Sequence, residues 1–117
     1  PDVDVPSITA EALQAKLDRD EPINLLDLRP RDEVEAWAIE GDAVTTYNEH
    51  YSAFIEAEIT GTVRETFEET GLSEPVLAIC RHGGASAYVV DLLVDEGIEA
   101  MNLEDGTEAF RQRLASG

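Results

Sequence analysis

Short apolar runs alternate with longer amphipathic stretches along this chain. Residues 23–28 (INLLDL) and 76–80 (VLAIC) are almost wholly apolar, which is typical of strands that are buried on both faces of a sheet. Shorter runs at 43–46 and 100–103 are further predicted strands. Stretches with helical spacing separate them. This order predicts an α/β fold whose mainly parallel central sheet, of about five short strands, carries helices on both faces.

The clearest helical stretches have start and stop signals. Thr9 is a good N-cap for the first, and Gly97 is a typical C-cap for the strongest. The predicted helices cover residues 10–17, 32–38, 85–96 and 107–114. Helical spacing within 47–71 is interrupted at Gly61, so this segment allows either one helix or two. Residues 1–7 are predicted to be an extended lead-in, and the whole chain, 1–117, a single domain.

Acidic residues dominate the charge of the chain. There are 26 acidic residues against 8 basic ones, which gives a formal net charge of −18. The acidic residues are spread along the chain, which favours a halophilic protein because salt shortens the distance over which charges repel each other. A partner-binding acidic face is the alternative. The charge disfavours binding to nucleic acid or to anionic membranes.

Cys80 is the only cysteine, so an internal disulfide is excluded. The two histidines, His50 and His82, are far apart, and we predict neither a metal site nor a cofactor. The sequence shows neither a signal-peptide pattern nor an apolar run long enough for a membrane span, so we predict a cytoplasmic location. Because the chain begins without Met, we expect it to have been trimmed or cut from a longer protein.

The segment 80–86 (CRHGGAS) joins a predicted buried strand to the strongest helix. Ligands of open α/β sheets bind at such junctions. Gly83 and Gly84 allow the backbone to curl, so that several N–H groups and the helix N-terminus face an anion. These groups would favour a thiolate on Cys80. A cysteine that ends a buried strand is otherwise an ordinary core residue, but the polar and glycine residues after it favour a site.

Three segments, in order along nearly the whole chain, resemble the rhodanese-like sulfurtransferases. They are residues 80–86, similar to the family's C-x-x-G-x-x-S loop; residues 27–29 (DLR) with 32–34 (DEV), similar to D-x-R…E-F; and residues 102–106 (NLEDG) with Ala109 and Phe110, similar to N-L-x-G-G…A-W. The chain departs from the family at Ala85, where many members have Arg, and at Asp105, which replaces a glycine. Because of these departures, the sequence does not determine the identity of the substrate.

The resemblance implies that Cys80 takes the outer sulfur of a donor such as thiosulfate and passes it, as a persulfide, to a thiol or to cyanide. It implies that Asp27 and Arg29 shape the loop, although a purely structural ion pair is an equal alternative. The expected substrate-binding residues are Arg81, His82, Gly83, Gly84, Ala85 and Ser86.

Two other functions are open. One is a phosphatase or arsenate reductase, whose longer loop carries Arg six residues after the cysteine, where this chain has Ser86. The other is a non-catalytic or regulatory module of a larger sulfur-metabolism protein, since rhodanese-like domains are often fused to other domains. A fused or partner domain is compatible with activity as well.

Overall fold

The computed structural model describes residues 4–116, which form five strands and six helices. The strands are β1 Ser7–Ile8, β2 Ile23–Asp27, β3 Val44–Asn48, β4 Val76–Ile79 and β5 Ala100–Leu103. The helices are α1 Ala10–Asp18, α2 Arg31–Ala36, α3 Ser52–Thr60, α4 Val63–Glu68, α5 Gly84–Asp95 and α6 Gly106–Ser116. The predicted α/β class is confirmed.

The strands form one sheet in the order β1-β5-β4-β2-β3, and every neighbouring pair is parallel. The carboxyl ends of all the strands therefore lie at the same edge of the sheet. β4 is central, with β2 on one side and β5 on the other. The residue that follows β4, Cys80, consequently lies at the middle of the carboxyl edge.

Helices cover both faces of the sheet, and alternate strand residues face each layer. One core joins the sheet to α3, α4 and α5 through Leu26, Ala78, Ala100, Phe54, Phe67 and Val89. The other joins it to α1 and α6 through Leu25, Leu77, Ile79, Leu13 and Phe110. The central strands β2 and β4 are almost continuous apolar runs because both of their faces are buried.

Local signals explain where several helices begin and end. The Thr9 hydroxyl accepts a hydrogen bond from the Ala12 N–H at 3.0 Å, as expected of an N-cap. Segment 47–71 contains two helices, because the chain turns at Gly61 with a φ of +74°. No helix within residues 4–116 has both the length and the apolar character that a membrane crossing requires.

Two local predictions need correction. The helix predicted over 32–38 ends at Ala36, and Trp37 is extended, with φ −163° and ψ 135°. The Trp37 carbonyl accepts a hydrogen bond from Arg29, which the sequence pattern did not indicate. The predicted extended lead-in, 1–7, ends in Ser7, which together with Ile8 forms a strand that pairs with β5, a pairing the sequence did not indicate; residues 1–3 lie outside the described residues.

We expect the protein to require salt for folding. Most ion pairs of residues 4–116 join exposed side chains, which stabilise little, so they do not offset the repulsion of a net charge of −18. Dilution from molar KCl into low-salt buffer should abolish the circular dichroism signal, since the screening length rises from about 3 Å at 1 M to about 30 Å at 0.01 M. Returning the protein to molar KCl should restore the signal, because it restores the screening. A protein that stays fully folded in low salt would contradict this expectation.

Candidate active site

The loop that follows β4 is anchored to the start of α6. The Cys80 carbonyl accepts the Thr107 N–H at 2.9 Å, and the Arg81 carbonyl accepts the Glu108 N–H at 3.1 Å. Gly106 packs so closely against the backbone of Arg81 that a side chain there would overlap it. These contacts hold the beginning of the loop against a rigid element.

The Cys80 sulfur receives hydrogen bonds from the backbone of its own loop. The Gly83 N–H lies 3.1 Å from Sγ and the Ser86 N–H lies 3.3 Å from it. The Ser86 hydroxyl oxygen is a further neighbour, at 3.1 Å. Gly83 has a φ of +90°, which residues other than glycine rarely adopt and which sets the direction of the chain toward Ser86. Two converging N–H groups favour negative charge on the sulfur.

A buried polar layer lies behind the sulfur. The Ser86 hydroxyl donates to Asn102 Oδ1 at 2.5 Å, and Asn102 Nδ2 donates to the Gly83 carbonyl at 3.2 Å. Asn102 was predicted only as part of a family motif, not as a neighbour of the cysteine. The available signal was its polarity, because it is an amide in the otherwise apolar β5.

Asp27 and Arg29 form a buried ion pair beside the loop. Arg29 Nε lies 3.0 Å from Asp27 Oδ1, and Arg29 Nη2 lies 2.8 Å from Oδ2, a bidentate arrangement. Asp27 is 0% exposed and Arg29 is 4% exposed. Asn48 Nδ2 donates to the carbonyls of both residues. The pair holds Arg29 at the wall of the pocket described next.

An open pocket of about 250 Å³ lies in front of Cys80. Its lining residues are Leu28, Arg29, Pro30, Glu33, Tyr51, Cys80, Arg81, His82, Gly84 and Ala85. Four of the predicted substrate-binding residues therefore line it, while Gly83 and Ser86 are buried behind the sulfur. The sequence indicated Glu33 only as part of a family motif and did not indicate Tyr51, because both residues lie far from the loop along the chain.

The cations at this pocket are partly neutralised. Arg29 is paired with Asp27, and Arg81 Nε lies 3.7 Å from Glu108 Oε2. The Arg81 side chain is 60% exposed, so solvent weakens this contact and Arg81 is able to turn toward a ligand. Within residues 4–116 no group of three or more His, Cys, Asp or Glu side chains is placed to hold a metal ion.

The parallel sheet and the amide-lined cysteine at its carboxyl edge define an α/β protein with a loop suited to a sulfur or oxygen anion. The sequence matches the family model described as Rhodanese-like domain over residues 9–113, and the chain belongs to that family. The predicted family resemblance is thereby confirmed. No curated protein sequence matches the chain.

Several solved structures are similar to this chain. The chain is similar to SSP1007 from Staphylococcus saprophyticus, with 28% identity over 90% of this chain and 92% of that chain, and a TM-score of 0.67. It is similar in fold to a rhodanese-related protein from Thermoplasma volcanium, with 23% identity, 92% coverage of each chain and a TM-score of 0.69. A third similar fold is a Rhodopseudomonas palustris protein described as a possible tyrosine phosphatase, with 20% identity over 93% of this chain and 81% of that chain, and a TM-score of 0.64.

Proposed function

We propose that this protein is a sulfurtransferase that carries sulfane sulfur as a persulfide on Cys80. The observation that supports this most directly is the pair of backbone N–H groups, from Gly83 and Ser86, that point at the only sulfhydryl of the chain. The sulfur borders an open pocket although only 7% of Cys80 is exposed. Such a thiol is shielded from bulk solvent and still accessible to a small donor.

In the first step the Cys80 thiolate attacks the outer sulfur of a donor such as thiosulfate. A new S–S bond forms to Cys80 while the bond between the two donor sulfurs breaks, and sulfite leaves with that electron pair. Arg81 and His82 line the pocket mouth and are suited to hold the donor anion. Gly84 and Ala85 have little side-chain bulk, which leaves room for the added sulfur.

In the second step the thiolate of an acceptor, or cyanide, attacks the outer sulfur of the persulfide. The acceptor keeps that sulfur, and Cys80 leaves as a thiolate that the same two N–H groups stabilise. The partners of this reaction are small sulfur anions and thiols rather than nucleic acid or membranes, which the acidic surface repels. Ion-paired Arg29 and the acidic Glu33 at the pocket make a doubly charged donor such as thiosulfate less favoured than a singly charged one such as an organic persulfide.

A phosphatase or arsenate reductase is less well supported. Those enzymes clamp a tetrahedral oxyanion with an Arg six residues after the cysteine. Ser86 occupies that position here, and its side chain is buried and hydrogen-bonded to Asn102. A non-catalytic module of a larger protein would not need the thiol, yet Cys80 borders the pocket and receives two N–H groups.

Incubation with thiosulfate in molar KCl should add one sulfur atom to the protein, as measured by intact mass. Subsequent cyanide treatment should remove that atom and release thiocyanate. Cys80→Ser is the matched control, because it differs by one atom and should gain nothing. An organic persulfide donor should be tested in parallel. If neither donor adds sulfur, or if the serine variant gains sulfur equally, the proposed function is wrong.

A further inference from the structure

We propose that Asn102 is a positioning residue that sets the direction of the Ser86 hydroxyl and, through it, the charge on the Cys80 sulfur. This inference rests on the proposed use of Cys80 as a nucleophile. The Asn102 side chain forms hydrogen bonds with Ser86 and Gly83, and not with the sulfur itself. It acts through the chain of contacts from Asn102 Oδ1 to Ser86 Oγ, at 2.5 Å, and from Oγ to Cys80 Sγ, at 3.1 Å.

The direction of each hydrogen bond in this series of contacts follows from which groups can donate and which can only accept. The Gly83 carbonyl can only accept, so the Asn102 side chain must present Nδ2 to it and Oδ1 to Ser86. Oδ1 also can only accept. The single hydroxyl hydrogen of Ser86 therefore points toward Asn102, and a lone pair of Oγ faces the cysteine.

In this arrangement the resting cysteine is best satisfied as a thiol. Its S–H donates to Ser86 Oγ, while the N–H groups of Gly83 and Ser86 donate to the sulfur. When the sulfur becomes negative, the Oγ lone pair opposes it. Rotation of the hydroxyl would supply a third donor to the sulfur, but it would leave the buried Asn102 Oδ1 without a partner. Asn102 therefore opposes ionisation of Cys80, whereas the N–H groups of Gly83 and Ser86 favour it.

Asn102 is held firmly enough to impose this direction. It lies in β5, where it pairs with Ser7 of β1 and Ala78 of β4, and its backbone N–H donates to the Pro6 carbonyl at 2.9 Å. Both Ser86 and Asn102 are buried. Since the backbone of Asn102 is fixed by two strands, the element that changes is the torsion of the Ser86 hydroxyl. The hydroxyl accepts from the thiol at rest, and it donates to an ionised or persulfide sulfur only by giving up its hydrogen bond to Asn102 Oδ1.

Other charged and titratable groups also face the pocket, and they contribute to the pH dependence of Cys80. They are Arg29 from the end of β2, Glu33 from α2, Tyr51 before α3, and Arg81 and His82 from the loop, with Glu108 of α6 paired to Arg81. All of them are unchanged by substitutions at Asn102 and Ser86. Differences in the pH midpoint among such variants therefore arise from the hydrogen bonds that join Asn102, Ser86 and Cys80.

The test is the rate of iodoacetamide alkylation against pH, in molar KCl and without a sulfur donor. Alkylation is assigned to Cys80, because it is the only cysteine. Iodoacetamide reacts with the thiolate and not with the thiol, so the rate follows the ionised fraction. Asn102→Leu keeps the shape of the side chain and frees the Ser86 hydroxyl to donate to sulfur. The midpoint of the rate profile should move to lower pH by about one unit. Asn102→Asp keeps the acceptor and adds negative charge, so its midpoint should move to higher pH.

Ser86→Ala supplies the control, because it removes the hydroxyl through which Asn102 acts. In that background Asn102→Leu should leave the midpoint unchanged. If Asn102→Leu does not fold, Asn102→Asp still tests the effect of added negative charge and Ser86→Ala tests the effect of removing the hydroxyl. Met101→Leu then serves as a neighbouring control in β5. The proposal is overturned if both Asn102 variants shift the midpoint in the same direction, or if Asn102→Leu has the same effect with and without the hydroxyl. If the variants shift the midpoint as expected but the protein accepts no sulfur from any donor, only the proposed function is contradicted.

Discussion

Asp27→Ala should lower the free energy of unfolding by about 3–5 kcal/mol, because it leaves the Arg29 guanidinium buried without its counter-ion. The carboxylate accepts hydrogen bonds from Arg29 Nε and Nη2 and from the Arg29 backbone N–H. A domain of this size is typically stable by only about 5–15 kcal/mol, so the variant should be close to unfolding. The measurement is urea denaturation followed by circular dichroism in molar KCl. Urea is preferred to guanidinium chloride because it does not change the ionic strength.

The double variant Asp27→Leu with Arg29→Met is the matched control. Removing both charges should cost less than removing one, since no unpaired ion remains buried. If the single variant lowers the free energy of unfolding by less than about 1 kcal/mol, the Asp27–Arg29 pair contributes no more to stability than a surface ion pair does. The alkylation rate of Cys80 in the double variant separates the two roles expected for this pair. A normal rate would make it structural only, and a slow rate would show that it also shapes the loop.

The fold was predictable because its strongest signals are local. The runs INLLDL and VLAIC are apolar on both faces, as central parallel strands must be, and helix α5 has both a clear periodicity and the C-terminal Gly97. β1 was missed because a strand of two residues leaves no pattern. It exists only through its pairing with β5, which depends on contacts about 95 residues apart along the chain.

The site was predictable only in part. The position of Cys80 before Gly83 and Gly84 indicated a curled loop, and the structure shows N–H groups converging on the sulfur. Sequence spacing could not show which of the N–H groups reach the sulfur, because that depends on the torsion angles of each loop residue. The partner of Arg81 was also hidden. Glu108 lies on a different element and approaches Arg81 only because α6 begins beneath the loop.

Gly106 is the contact on which the shape of the loop depends, and Gly106→Ala should impair both stability and sulfur transfer. A Cβ at this position would lie 2.6 Å from the His82 nitrogen and closer still to the Arg81 carbonyl oxygen, both of which are backbone atoms. The loop must therefore move, which would break the Thr107–Cys80 and Glu108–Arg81 backbone hydrogen bonds. We expect the rate of persulfide formation, measured by intact mass against time, to fall at least about tenfold, the effect of a misplaced reacting group.

Gly61→Ala is a well-matched control for this substitution. Gly61 has a φ of +74° and Gly106 a φ of +75°, so an alanine suffers the same backbone strain at each position. A Cβ on Gly61, however, would meet nothing within 4 Å. The difference in unfolding free energy between the two variants therefore isolates the overlap with the loop, and should be about 1–3 kcal/mol. Gly61→Ala should transfer sulfur at the parent rate. If Gly106→Ala does so too, the loop does not depend on the start of α6 for its shape, and the N–H groups at Cys80 are held by the loop itself.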